Sequence, residues 1–417
     1  MLEASSAPEL LPATFARWFA SRGWRPRAHQ LELLAMARTG RSVLLIAPTG
    51  GGKTLAGFLP TLVDLSEGSA QRPGQPTATG KLRSLGHGLR RDGGLHTLYI
   101  SPLKALAVDI ARNLEQPVAE MSLPIRIETR TGDTPTSKRQ RQRRDPPDIL
   151  LTTPEQLALI LASPDAPYLF DSLRRVVLDE LHALVTSKRG DLLSLGLARL
   201  FRLAPALTSV GLSATVAGPD DLRRFLVPQP PEREALADMV VAEGGAAPHV
   251  TMLDTAERLP WAGHSAQHAL GEMYGLIKRH RTALVFVNTR SQAERIFQEL
   301  WRINDDGLAI ALHHGSLDVA QRRKVEAAMA AGRLRAVVCT SSLDLGVDWG
   351  DVDLVINVGA PKGSSRLLQR IGRANHRMDE PSRGVLVPAN RFEVLECRAA
   401  LDAIADNAQD TPPARSG

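Results

Sequence analysis

The chain has 417 residues, enough for two or three domains that each bury a core, and its 43% apolar and 23% charged residues are those of an ordinary globular protein. No apolar run approaches the roughly 18 residues of a membrane-spanning helix, so a membrane partner is not expected. Lysine and arginine outnumber aspartate and glutamate by 51 to 45, a net +6 that suits a polyanionic partner. The two cysteines, Cys339 and Cys397, form neither a metal-ligand spacing nor a disulfide framework, which points to the reducing cytoplasm.

In chain order, residues 1–23 read as an N-terminal leader helix, and "MLEASSAPELLPATF" does not have the continuous apolar core of a secretion signal. Short apolar runs then recur: "SVLLIA", "HTLYIS", "DILLTT", "RRVVLDE" and "SVGLSA", each bounded by Gly, Pro or polar residues and separated by helix-length segments. This is the pattern of parallel strands buried on both faces, and it places one α/β domain at residues 24–228. Residues 67–94 interrupt it with a Gly-, Arg- and Pro-rich stretch, expected to be a mobile insertion. The Pro- and Gly-rich residues 229–268 read as an interdomain connection. A second series, "ALVFVNT", "LAIALHHG", "LRAVVCT", "LVINVGAP" and "RGVLVPA", places a second α/β domain at 269–400, with 401–417 as a tail.

Two segments carry chemistry. "APTGGGKT" (residues 47–54) follows a buried strand and precedes a helix, so its backbone N–H groups converge in front of a positive helix end and form an anion cradle. Thr49, Gly50, Gly51 and Gly52 let phosphate oxygens approach, Lys53 reaches the outer phosphates, and Thr54 offers a hydroxyl to Mg2+. The usual phosphate-binding pattern has glycine where this chain has Ala47. "RRVVLDELH" puts Asp179 and Glu180 at the end of a strand, where open parallel sheets place ligand sites. Asp179 is expected to hold the Mg2+ and Glu180 to activate the attacking water, with His182 as a link to the second domain. Either segment alone is compatible with an ordinary turn; together they predict a nucleoside triphosphatase.

The set "APTGGGKT", "SPLKALAVD", "TRTGDT", "TTPE", "DELH", "SAT", "LVFVNTR", "HHGS", "TSSLDLGVD" and "QRIGRANHR" resembles, in order and spacing, a superfamily 2 DExH-box helicase over residues 24 to about 398. It is most similar to the Lhr-like (large helicase-related) group, and "LPWAGHSA" with "QRIGRANHR" to its ligase-associated DNA-damage-response branch. The resemblance implies two tandem RecA-like α/β domains, each a parallel sheet with helices on both faces, and an ATP cleft between them. It implies that Gln30 reads the adenine edge, and that Ser213 and Thr215 form a relay coupled, with His182, to nucleotide state. In the second domain it assigns Arg373 as the arginine finger and Gln369 as a catalytic partner. Gly346 and Asp348 would lie at the ribose. The family's second arginine falls at His376 here, so Arg370, Arg373 and Arg377 are all left open for that second role.

Nucleic-acid contacts are expected from loops on one side of each sheet, at Lys104, Arg130, Thr153, Arg290, His314 and Thr340, through hydroxyls and helix N-termini that bind phosphate without a base code. The run "KRQRQRR" at 138–144 reads either as phosphate contacts or as a solvated helix face. With only 4% aromatic residues, tracking of the backbone outweighs base stacking. The resemblance implies an ATP-dependent DNA helicase that moves 3′ to 5′ on single-stranded or forked DNA, in bacterial cytoplasm with the nucleoid, in DNA repair, with a DNA ligase or nuclease as partner. An RNA helicase, and a nucleotide-gated DNA clamp that does not unwind, are the alternatives.

Overall fold

The computed structural model describes residues 10–406 apart from 49, 71–93, 186, 215, 217, 243–245, 345–351 and 375–380. The chain divides into two compact units, in the main before and after residue 243. Thr49, Thr215, Gly346, Asp348 and Arg377 lie outside the described residues, as does most of the 67–94 segment.

The first unit is built on seven parallel strands: β1 (Val43–Ile46), β2 (Thr97–Ile100), β3 (Ile127–Arg130), β4 (Ile149–Thr152), β5 (Arg175–Leu178), β6 (Thr208–Ser213) and β7 (Asp238–Val241), in the order β3-β4-β2-β5-β6-β1-β7. β1, β2, β4 and β5 are buried at every position, which is why each is dominated by an apolar run. Val43, Leu45, Tyr99, Leu151 and Val177 share a core with helices Ala28–Arg38, Lys53–Ala70 and Lys104–Glu120. The alternate residues Leu44, Leu98, Leu150 and Val176 are buried too and point to the opposite face, so helices cover both sides. The leader helix Ala13–Ser21 buries Phe15, Trp18 and Phe19 and is fastened to Lys104–Glu120, where Trp18 Nε1 donates to Glu120 at 2.7 Å.

The second unit repeats the plan with six parallel strands, β8 (His249–Met252), β9 (Ala283–Phe286), β10 (Ile310–His313), β11 (Ala336–Cys339), β12 (Leu354–Val358) and β13 (Arg383–Val387), in the order β10-β11-β9-β12-β13-β8. One face packs through Val285, Val338 and Ile356, the other through Leu284, Val337 and Val355. Both sheets are thus parallel with helices on both faces. Among the described residues no helix is long and apolar enough to cross a membrane.

Three strands fall outside the apolar runs read from the sequence. β3, β7 and β8 lie at sheet edges, with half-exposed patterns that leave polar and apolar residues mixed. Two of them correct the reading of 229–268 as a connection alone: β7 pairs with β1, and β8 pairs with β13. Two boundaries also move. Helix Lys53–Ala70 runs into the segment read as an insertion, held by the Arg38–Glu67 ion pair at 2.6 Å. Helix Arg391–Ala405 extends into the segment read as a tail, because Leu401 and Ile404, partly buried, pack against the core that Cys397 and Ala400 join.

Gly190 gives a sharp test of this packing. It lies in the first turn of helix Lys188–Leu203, where helix propensity alone makes alanine about 1 kcal/mol better. A Cβ there would stand 2.3 Å from the Leu184 carbonyl oxygen. Gly190→Ala is therefore expected to destabilise the fold by about 1–3 kcal/mol in chemical denaturation, whereas a gain in stability would show the helix junction to be loose.

Candidate nucleotide site and nucleic-acid loops

In a parallel sheet every strand ends on the same edge, and strand order decides which loops become neighbours there. β5, β6 and β1 are consecutive in the first sheet, with Ile46 level with Ser213 and Leu178 level with Gly211. The Gly-rich loop, "DELH" and "SAT" leave these three strand ends side by side. Gly50 and Gly52 have φ of 79° and 71°, a region that side chains avoid, and Gly51 N–H closes a turn on the Pro48 carbonyl at 3.0 Å. Lys53 opens the following helix, with Thr54 in its first turn. The Gln30 side chain accepts from Arg27 N–H at 2.9 Å and reaches the Gly52 carbonyl at 3.5 Å, which sets it against this loop.

Asp179 is buried at the end of β5. One carboxylate oxygen accepts from the Tyr99 hydroxyl on the neighbouring β2, and the other from Glu180 N–H at 2.8 Å. Burial and the adjacent Glu180 push its pKa up to about 6, against the opposing pull of Tyr99 and Lys53, so the Lys53 charge acts on this carboxylate. Tyr99 was not singled out from the sequence; the available signal is one hydroxyl-bearing ring in an otherwise buried strand. Glu180 adopts φ of 47°, a conformation costing about 1–3 kcal/mol in a non-glycine residue and kept where surrounding structure enforces it. His182 Nε2 lies 3.5 Å from the Glu180 carboxylate, and Nδ1 lies 3.1 Å from Ser213 Oγ. Burial holds His182 below its usual pKa, with Glu180 opposing. The first unit therefore contains a Glu180–His182–Ser213 chain joining two of the three strand ends.

The other half of the same edge carries the expected nucleic-acid residues. β3, β4 and β2 are consecutive, and Arg130, Thr153 and Lys104 stand at their ends. Thr153 caps helix Pro154–Leu161. Lys104 pairs with Asp133 of "TGDT" at 3.0 Å, an exposed contact. Arg130 is only 4% exposed, and its Nε and Nη1 have no hydrogen-bond partner among the described residues. Burial, then Arg143 and Arg139, push its pKa down to about 10. A buried cation without an anion is costly, and phosphate supplies one. The basic run forms helix Thr136–Arg144, yet its side chains are engaged: Arg139 donates to the Gly132 carbonyl at 2.7 Å, and Arg141 pairs with Glu128 at 2.6 Å.

The second sheet divides its edge the same way. β10, β11 and β9 are consecutive and are followed by His314, Thr340 and Arg290. His314 Nε2 meets Glu294 at 3.3 Å, and His313 bridges Ser342 at 2.8 Å and Glu326 at 3.1 Å. Helix Ser364–Ile371, after β12, carries the arginine motif. Arg370 is 3% exposed and committed to structure: Nε donates to Asp344 at 2.8 Å, Nη1 to Asn357 at 2.7 Å, and its plane lies over Phe286. Arg373 donates to the Asp344 carbonyl at 2.9 Å. Gln369 Nε2 is buried without a hydrogen-bond partner among the described residues. Asp344, which gathers Arg366, Arg370 and Arg373, went unremarked in the sequence, although a lone acid inside an apolar segment signals a buried partner. "LPWAGHSA" lies across the ends of β9 and β13: His264 meets Glu393 at 2.9 Å, its carbonyl accepts from Gln292, and Gly263 accepts from Asn390.

Two substitutions follow. Arg130→Met removes an uncompensated buried charge, so it is expected to raise the thermal midpoint while weakening single-strand binding, read by anisotropy; lower stability with unchanged binding would make Arg130 structural. Asp344→Asn strands Arg370 in the core and is expected to cost about 3–5 kcal/mol, against less than about 1 kcal/mol for Asp133→Ala at the exposed Lys104 pair. Chemical denaturation of both reads the contrast.

The chain is similar to known proteins. The DEAD/DEAH box helicase family matches residues 27–222, and the helicase conserved C-terminal domain matches residues 266–378. A Mycolicibacterium smegmatis protein described as an Lhr helicase and probable uracil glycosylase is 36% identical, over 92% of this chain and 27% of its own length. The ATP-dependent helicase Lhr-Core of Methanocaldococcus jannaschii is 34% identical, over 93% of this chain and 45% of its own length. The solved structure of Mycobacterium smegmatis helicase Lhr bound to ssDNA and AMP-PNP aligns with a TM-score of 0.80 at 35% identity, covering 96% of this chain and 50% of that one. The chain thus spans less than half the length of these curated relatives. It has both domains of a DEAD/DEAH box helicase core, and over that core it is similar to the Lhr helicases.

Proposed function

We propose that this chain hydrolyses ATP to move 3′ to 5′ along single-stranded DNA in the cytoplasm, serving DNA repair. The observation that carries the proposal is the division of each sheet edge, with the ends of β5, β6 and β1 offering a phosphate cradle and paired acids, and the ends of β3, β4 and β2 offering cationic and hydroxyl groups. The Glu180–His182–Ser213 chain gives nucleotide state a route along the first of these halves. Arg373 acts on the phosphates, and Gln30 on the adenine. Binding of ssDNA and AMP-PNP by the smegmatis relative supports the choice of DNA.

The residues also fit Mg2+. Asp179 and Glu180 are adjacent carboxylates at a strand end, and burial with like charge drives the Asp179 pKa upward, an environment that a cation relieves. Asp179 and Thr54 would hold the ion, which when bound neutralises charge on the phosphate oxygens. Glu180 takes the proton of the attacking water, and Lys53 with the loop N–H groups binds the charge that develops. A DNA ligase or nuclease partner rests on the resemblance to the ligase-associated branch.

ATPase rate with no nucleic acid, single-stranded DNA or single-stranded RNA of equal length tests this, with Glu180→Gln as blank. Stimulation by DNA above RNA is expected, and equal stimulation would favour the RNA reading. Lys53→Ala is expected to lose roughly 100-fold or more in kcat and to lose displacement of a forked duplex with it. Unwinding that survives would defeat the mechanism, and robust ATPase without displacement would favour the clamp.

A further inference from the structure

The second unit has a groove that none of these motifs uses. It encloses about 540 Å³, within the range of ligand sites, between the segment after β8 and helix Leu270–Arg279. β8 lies at the opposite edge of its sheet from β10, which precedes "HHGS". Asp254 and Glu257 form one wall, and Glu272 ties it to the helix by accepting from Ala256 N–H at 3.0 Å. Gly271 leaves the helix backbone bare on this side, and one turn further the Arg279 guanidinium lies over Gly275.

His268 also lines the groove. It is 8% exposed, and neither ring nitrogen has a hydrogen-bond partner among the described residues. A neutral imidazole needs one acceptor and one donor, so its ligand must bring both. Three carboxylates against one guanidinium make the groove negative, which repels phosphate and separates it from the nucleic-acid loops. A metal ion is a poor fit, since no group of three or more His, Cys, Asp or Glu suited to one occurs among the described residues. A polyamine offers donors alone.

We infer that this groove binds a basic peptide segment of a partner protein. The segment's backbone C=O and N–H meet His268, and a lysine or arginine side chain meets Asp254 and Glu257. The groove over the bare helix turn admits extended backbone.

Anisotropy of a labelled, end-capped Gly-Arg-Gly-Arg-Gly peptide on the whole chain tests this, with the Gly-Glu-Gly-Glu-Gly peptide and spermine as competitors. Saturable binding is expected, displaced by neither competitor. The double variant Asp254→Asn/Glu257→Gln is expected to weaken it at least tenfold while DNA-stimulated ATPase stays unchanged. His268→Leu is expected to weaken it without lowering thermal stability, since it removes an unsatisfied buried group. No saturable binding, displacement by spermine or the acidic peptide, or binding indifferent to the wall substitutions would each overturn the assignment.

Discussion

The backbone hydrogen bonds that pair β1 with β6 and β6 with β5 fix three strand ends side by side, Ile46 at Ser213 and Leu178 at Gly211, and the candidate chemistry of the first unit depends on that register. A parallel sheet puts all its C-terminal ends on one edge, so loops more than a hundred residues apart in sequence become neighbours without any special device. A one-residue slip of β5 against β6 would carry Asp179 away from its level beside Leu212, next to Ser213, and turn its side chain to the other face. The dense apolar burial of β1, β2, β4 and β5 is what prevents such a slip. Stability and function are thus carried by the same residues at different points along each strand.

Burial of charge has three different outcomes here. Arg370 is fully answered by Asp344, Asn357 and the Phe286 ring, which makes it a brace for the arginine-bearing helix. Asp179 is answered in part, by a phenol and a backbone N–H, and its raised pKa records what remains unanswered. Arg130 keeps two nitrogens without hydrogen-bond partners among the described residues, beside two further arginines. The order runs from structural to functional, because a charge left incompletely paired in the folded chain is one a ligand can pair.

Much of this was legible in the sequence because strands buried on both faces write themselves as apolar runs, and because glycine at positive φ and adjacent acids at a strand end are dictated by chemistry. The edge strands β3, β7 and β8 were not legible, since their half-exposed positions mix polar and apolar residues, whereas the edge strand β10, buried at both ends, was. Strand order was not legible either, and without it the neighbouring of β5, β6 and β1 cannot be read. Tyr99, Asp344 and Glu393 meet the partners described above 22 to 129 residues away, distances over which local pattern carries no signal. The ambiguity over the second arginine narrows in one respect: Arg370 is occupied within the fold.

The central claim is that each sheet edge is split between nucleotide and nucleic acid. Hydrogen–deuterium exchange of the whole chain, with AMP-PNP alone and with single-stranded DNA alone, tests it directly. The account predicts that AMP-PNP slows exchange at residues 50–56, 179–183 and 213–214, and that DNA slows it at 101–106, 130–136, 152–157, 288–294, 313–317 and 340–344. Protection of one shared set of segments by both ligands, or DNA protection confined to the ends of β5, β6 and β1, would contradict it.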